Sequence, residues 1–135
     1  MPAKVLDSFA LVAYFRDDPG AEAVEALLVA ASKKDTPLHM TEVNYAEAKY
    51  IILRKDGAPA WEEATKVLVG LPIEFHPATR ALADTAADFK ARFTMSLADA
   101  FAAALAKEKK AELVTGDPEF KPLEKEMKIN WLKAG

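Results

Sequence analysis

Cysteine is absent from this chain of 135 residues, which excludes disulfide bonds, thiolate metal sites and cysteine nucleophiles. No segment approaches the ~18 consecutive apolar residues that a membrane-spanning helix needs. The N-terminus also lacks a basic region followed by an apolar segment, so no targeting signal is predicted. We therefore expect a soluble, cytoplasmic protein.

Histidine is scarce, and neither of the common glycine-rich phosphate-binding motifs is present. The two histidines, His39 and His76, stand far apart, each beside a predicted strand and without the spacing of paired ligands. Isolated histidines of this kind most often have structural or surface roles. No Ser/His/Asp arrangement is predicted either, so the acidic residues remain as the candidates for chemistry.

Neither sign of charge is in large excess, since 21 acidic residues stand against 18 basic ones and give a net charge of −3. If four carboxylates were held at a metal site, 17 acidic residues would remain against those 18 bases. Overall charge therefore does not exclude a nucleic-acid substrate. Half of the chain is hydrophobic and no low-complexity run occurs, which predicts one folded domain over residues 1–135.

Short apolar segments alternate with segments of helical periodicity along the whole chain. This alternation predicts an α/β fold of three layers, with a short, mainly parallel central sheet between helices. The helix that begins after Ser96 is rich in alanine and apolar almost all round, which is typical of a helix packed between other elements. The predicted strands cover residues 4–6, 38–40, 73–75, 112–115 and 128–132.

Three aspartates stand at predicted helix starts, and each has a local structural explanation. Asp7 is suited to cap a helix, Asp99 completes a capping box with Ser96, and Asp117 precedes Pro118 at the first helical position. Two of them, Asp7 and Asp117, also follow predicted strands. Because open α/β sheets bind ligands at the carboxyl ends of their strands, the three together favour a shared site.

A fourth carboxylate, Glu47, lies on the helix predicted over residues 42–55, beside Val43, Tyr50 and Ile51. A glutamate on an apolar stripe carries a burial cost unless it is paired or coordinates a metal. Arg54 is the alternative partner, two turns further along the helix. Glu42 needs no such explanation, because a carboxylate in the first turn is favoured by the helix dipole.

Ligands that are all oxygen atoms suit Mg²⁺ or Mn²⁺, which accept carboxylates and keep several water molecules. One or two such ions could activate water and stabilise the charge that develops on a phosphodiester during in-line displacement. The candidate site is therefore compatible with a metal-dependent phosphodiesterase.

Four short motifs, taken in order, resemble the PIN domain, the metal-dependent ribonuclease fold of VapC-type toxins. They are V-L-D-S at residues 5–8, N-Y-A-E-A-K-Y at residues 44–50, S-L-A-D-A-F at residues 96–101 and T-G-D-P-E-F at residues 115–120. Each motif alone is weakly specific, but their order and spacing cover the chain from end to end.

The resemblance implies a single PIN-like domain that acts as an endoribonuclease with Mg²⁺ or Mn²⁺. It also implies an RNA substrate, a homodimer and a protein antitoxin that blocks the acidic groove. In the family a hydroxyl residue often stands near the last acid, and Thr115 matches that position. The positions that match the family's acidic metal pocket are Asp7, Glu47, Asp99 and Asp117.

Two other functions are compatible with parts of this pattern. A PIN-like module could bind RNA or protein without catalysis, although the complete acidic set argues against it. A phosphoacceptor receiver domain would have an acidic pair after the first strand and an aspartate after the third. Here one acid follows the first strand, and His76 and Pro77 follow the third, which disfavours that class.

Overall fold

The computed structural model describes residues 2–133 and contains, within that range, five strands, six α-helices and one 3₁₀ helix. None of these helices is long and apolar enough to cross a lipid bilayer. The strands are β1 (Lys4–Leu6), β2 (Leu38–Thr41), β3 (Ile73–His76), β4 (Glu112–Thr115) and β5 (Ile129–Trp131). The helices are α1 (Ser8–Arg16), α2 (Ala21–Lys34), α3 (Glu42–Asp56), α4 (Ala58–Leu68), α5 (Arg80–Arg92), α6 (Leu97–Lys109) and the 3₁₀ helix (Pro118–Lys125).

The five strands form one sheet in the order β3-β2-β1-β4-β5, and every neighbouring pair is parallel. Parallel neighbours need a crossover connection, which the helices between successive strands provide. The predicted α/β class and the parallel sheet are thereby confirmed. In the centre, β1 pairs with β4 in a register that aligns Leu6 with Val114.

Apolar side chains cover both faces of the sheet. On one face, Leu113 and Phe120 pack with Phe89 of α5 and Leu105 of α6. On the other face, residues of β1 and β4 pack against α2, and α1, α3 and α4 enclose a further cluster around Met40. The predicted enclosure of α6 is confirmed, because residues 100–106 are all buried.

The two histidines do not stand apart, so the expectation of isolated histidines is wrong. The register of β2 and β3 aligns His39 with Glu74 and Thr41 with His76. As a result, Nδ1 of His39 lies 2.9 Å from Nε2 of His76. Burial, followed by the neighbouring His76, lowers the pKa of His39. Sequence spacing could not indicate this pairing, because it depends on the register of two strands far apart in the chain.

Gly116 allows α1 to pack closely against the segment that follows β4. A Cβ atom added at Gly116 would lie 2.3 Å from Cε1 and 2.5 Å from Cζ of Phe9, far inside any normal contact distance. The aromatic ring of Phe9 therefore occupies the space of a side chain that Gly116 lacks. Because Phe9 lies near the start of α1, this contact fixes the distance between α1 and the end of β4.

We expect Gly116→Ala to lower the free energy of unfolding by about 1–3 kcal/mol, the usual cost of overpacking a filled site. Gly70→Ala is the matched control, because the nearest heavy atom to its added Cβ is Val67 O at 3.8 Å. Urea unfolding followed by circular dichroism measures both effects. Equal stabilities of the two variants would contradict the packing assigned to Phe9.

Candidate active site

The candidate site lies where the strand order of the sheet reverses. From β1 the chain proceeds outward through β2 and β3, and it then returns to place β4 on the other side of β1. In open α/β sheets the ligand crevice forms at this reversal, outside the carboxyl ends of the strands. Asp7 directly follows β1, and Thr115 ends β4, so the two central strands bring these residues to the same edge.

Asp7 is almost completely buried, with 1% of its surface exposed. Its Oδ1 accepts a hydrogen bond from the Ala10 backbone N–H at 2.9 Å, which is the predicted N-cap of α1. Its Oδ2 accepts a hydrogen bond from the Thr115 hydroxyl at 2.5 Å. Burial raises the pKa of Asp7 to about 7, since these two bonds offset only part of the desolvation and the charges of Asp99 and Asp117 add to it.

Thr115 connects two of the aspartates. Its buried Oγ1 donates to Asp7 and accepts a hydrogen bond from the Asp117 backbone N–H at 3.0 Å. Asp117 in turn caps the 3₁₀ helix, because its Oδ1 accepts from the Glu119 backbone N–H at 2.9 Å. The hydroxyl therefore fixes Asp7 relative to the backbone that carries Asp117.

Asp99 lies in the first turn of α6, and its backbone N–H donates to the Ser96 side chain at 3.1 Å. The predicted cap is thus present, and Asp99 as a whole is 7% exposed. Burial raises the pKa of Asp99 to about 7, with a further increase from the charge of Asp117. The charges of Glu47 and Glu119 act in the same direction, whereas a side-chain interaction of the Ser96 hydroxyl with the carboxyl group lowers the pKa.

Glu47 is half-buried on α3, and its effect on the pKa of Asp99 indicates that it belongs to the same group of carboxylates. The alternative partner, Arg54, instead lies over the ring of Tyr50, with 5.2 Å between the guanidinium carbon and the ring centroid. Within residues 2–133, no ion pair joins Arg54 to Glu47. Glu42 is exposed in the first turn of α3, as expected.

Two residues near the site were not predicted as members of it. Glu119 follows Asp117 by two residues, and its charge contributes to the raised pKa of Asp99. Its position in the T-G-D-P-E-F motif could have indicated that it lies near the site. However, an exposed glutamate in the first turn of a helix is already explained by the helix dipole. Asn44, the second residue, is fully buried on α3.

The side chain of Asn44 joins the three helices that position the carboxylates. Its Nδ2 donates to the Ala98 carbonyl at 3.0 Å and to the Ser8 hydroxyl at 3.2 Å. Ser8 immediately follows Asp7, and Ala98 immediately precedes Asp99. One buried amide therefore holds the start of α1 and the start of α6 against α3, the helix that carries Glu47.

The candidate metal ligands of the site are all carboxylate oxygens, which are the ligands that hard divalent cations prefer. Within residues 2–133, no three of these carboxylates bring oxygen atoms within 4.8 Å of one another. Mg²⁺ is commonly held by only one or two carboxylates and keeps several water molecules, so it does not require three carboxylates in direct contact. The raised pKa values of Asp7 and Asp99 have the sign expected for acids grouped without a compensating cation.

Several solved structures share this fold, and two of them are described as toxin–antitoxin systems or complexes. A chain of Rickettsia felis VapBC2, solved with a DNA fragment from its promoter, has a TM-score of 0.76 at 14% identity, covering 97% of this chain and 99% of that one. DNA-bound VapBC from Salmonella typhimurium gives 0.73 at 16% identity, covering 96% and 98%. Mycobacterium tuberculosis VapC20, a sarcin–ricin loop cleaving toxin, gives 0.72 at 16% identity, covering 89% and 94%.

A comparison with curated proteins gave no match. The family model of the PIN domain, in contrast, matches residues 4–126, which include every candidate carboxylate and nearly the whole chain. The parallel sheet, the acidic residues at its strand-order reversal and this match agree with the resemblance found in the motifs. The chain belongs to the PIN domain family.

Proposed function

We propose that this PIN domain, over residues 1–135, is an endoribonuclease that depends on Mg²⁺ or Mn²⁺. One observation supports the proposal: the charges of Asp99 and Asp117 act on Asp7, and the charges of Asp117 and Glu47 act on Asp99. The pKa of Asp7 and that of Asp99 are both raised to about 7, chiefly by burial. Burying acids without a cation is costly, and catalytic sites are where such an arrangement is commonly found.

Each residue has a role that follows from its surroundings. Asp7, Asp99 and Asp117 hold the ion directly or through water, and Glu47 either holds the ion or orients the attacking water. Thr115 positions Asp7 by donating its hydroxyl hydrogen to Oδ2. When bound, the ion supplies activation of water and neutralisation of charge on the phosphodiester.

The biological setting is proposed from the family and from its solved relatives. One relative is a toxin that cleaves the sarcin–ricin loop, which supports RNA as the substrate class. Others are VapBC structures from toxin–antitoxin systems, which supports a protein antitoxin as partner. We therefore propose a cytoplasmic, homodimeric toxin of a type II pair, whose antitoxin covers the acidic groove.

Asp99→Asn is expected to lower RNA cleavage by about two orders of magnitude or more, because it removes a charge that holds the ion. The same change should raise the melting temperature without metal, since it removes a buried charge that other acids repel.

The first effect is measured by incubating total cellular RNA with the protein and Mn²⁺ and sequencing the new RNA ends. Thermal melts measure the second effect. Asp84→Asn, at an exposed position on α5, is the matched control. Full activity of Asp99→Asn would sink the metal-nuclease mechanism.

Glu47→Gln is expected to impair cleavage severely and to weaken Mn²⁺ binding, because Glu47 is half-buried beside Asp99. Glu42→Gln, on the same helix, should cost at most a few tenths of a kcal/mol of stability, the low end of the helix-dipole effect. Calorimetric Mn²⁺ titrations and RNA cleavage assays should compare both variants. If Glu42→Gln is the inactive one, the wrong face of α3 has been assigned to the site.

The stabilisation by Mn²⁺ should depend on pH. The folded-state pKa values of Asp7 and Asp99 are about 7, well above the ordinary value of 3.8, so both acids are protonated in the metal-free fold at low pH. As the pH rises from about 4 to about 7, these acids ionise in the unfolded chain while they stay protonated in the fold, so the free energy of unfolding of the metal-free protein falls. Because Mn²⁺ binds the ionised forms, it should raise the melting temperature more at about pH 8 than at about pH 5.5. Equal increases at the two pH values would contradict the assignment.

A further inference from the structure

A second group of metal-binding side chains lies outside the acidic pocket, on the neighbouring strands β2 and β3. His39, Glu74 and His76 bring one potential ligand atom each to within 4.8 Å of one another. Within residues 2–133, no other three such side chains meet that distance. The group is unrelated to the carboxylates at the strand-order reversal, which come from other segments.

The pairing of the two strands explains why these side chains meet. His39 is aligned with Glu74 across the parallel pair, and His76 follows Glu74 by two residues. Side chains two residues apart lie on the same face of a strand, and aligned residues in neighbouring strands share a face. All three side chains therefore project from one face of the sheet, beside the edge strand β3.

The distances between the ligand atoms suit a tetrahedral ion. Nδ1 of His39 lies 2.9 Å from Nε2 of His76 and 3.7 Å from Oε2 of Glu74. Bonds from zinc to imidazole nitrogen or carboxylate oxygen are about 2.0–2.2 Å long, which separates tetrahedral ligands by about 3.4 Å. The two observed distances lie on either side of that value, so small side-chain rotations are enough to reach it.

A hydrogen bond between the two imidazoles explains only part of this arrangement. One ring donates and the other accepts at 2.9 Å, which joins β2 to β3 without any ion. The distance of 3.7 Å from Glu74 to His39 is too long for a hydrogen bond, although it allows an ion pair when His39 is protonated. A divalent ion between the three groups would use all three side chains at once.

The group is also open to an incoming ion. The side chain of His39 is 12% exposed and that of Glu74 is 55% exposed, so one ligand is anchored in the sheet and another reaches solvent. Three protein ligands leave the fourth tetrahedral position to water, as in open zinc sites. Two imidazoles favour zinc-like ions over Mg²⁺, which prefers oxygen ligands.

We propose that His39, Glu74 and His76 form a second divalent-metal site, selective for Zn²⁺ over Mg²⁺ and separate from the nuclease pocket. The bound ion ties the edge strand β3 to β2 and leaves one coordination position open to solvent. The proposal does not depend on the proposed nuclease activity, because none of its three ligands belongs to the acidic pocket.

The composition of the chain allows a direct test. The protein has two histidines, so every imidazole nitrogen signal comes from these two rings. Long-range ¹H–¹⁵N spectra of the full-length, ¹⁵N-labelled protein should be recorded with saturating Mg²⁺, before and after one equivalent of Zn²⁺. We expect the resonances of Nδ1 of His39 and Nε2 of His76 to shift together. With Zn²⁺ bound, the other nitrogen of each ring carries the proton, so the ring that donates the hydrogen bond without the ion changes tautomer.

Three variants identify the third ligand and separate the two metal sites. Glu74→Gln should weaken Zn²⁺ binding about tenfold or more, by analogy with the usual loss on disturbing a metal site. Glu62→Gln, an exposed glutamate on α4, should bind Zn²⁺ as the unmodified protein does. Asp99→Asn should keep the same nitrogen shifts, because it alters only the acidic pocket. Unshifted nitrogens at one equivalent of Zn²⁺, or an unchanged affinity of Glu74→Gln, would overturn the proposal.

Discussion

The burial of Asp7 at the centre of the sheet is the constraint on which the site depends. A carboxylate at the junction of β1 and α1 is removed from water by the same packing that forms the core. The hydrogen bonds from Ala10 and Thr115 offset part of that cost, but burial still holds the pKa at about 7. The fold thus maintains an acid whose charged form needs further compensation, which is the part that the proposed cation would play.

The neighbouring acids are held by contacts that differ from those of Asp7. Asn44 is a buried amide whose hydrogen-bonding groups must find partners, and it finds them at the starts of α1 and α6. Thr115 plays the equivalent part between β1 and the segment after β4. Polar side chains buried between elements therefore hold the backbone around the pocket in place.

Local patterns were enough to predict most of the fold, and together with the family resemblance they selected the four carboxylates of the proposed site. The strands lie within a residue or two of their predicted limits, because short apolar segments between helices leave little choice. Asp7, Asp99 and Asp117 were recognisable because caps and strand ends are local features. No local sequence pattern indicated the hydrogen-bond partners of Asn44 or the strand register that brings His39 to His76. Both depend on contacts between segments that are distant in the chain. The raised pKa values likewise depend on burial in the assembled fold.

The enclosure of α6 has a consequence for how this chain tolerates mutation. An amphipathic helix accepts replacements at its solvent-facing positions, so its sensitivity to mutation rises and falls every three or four residues. Residues 100–106 are buried on every side, and five of these seven residues are alanine. A larger side chain at any of those alanines would displace the helix that carries Asp99. We therefore expect few substitutions to be tolerated anywhere in residues 100–106. Tolerated positions should lie at the two ends of α6.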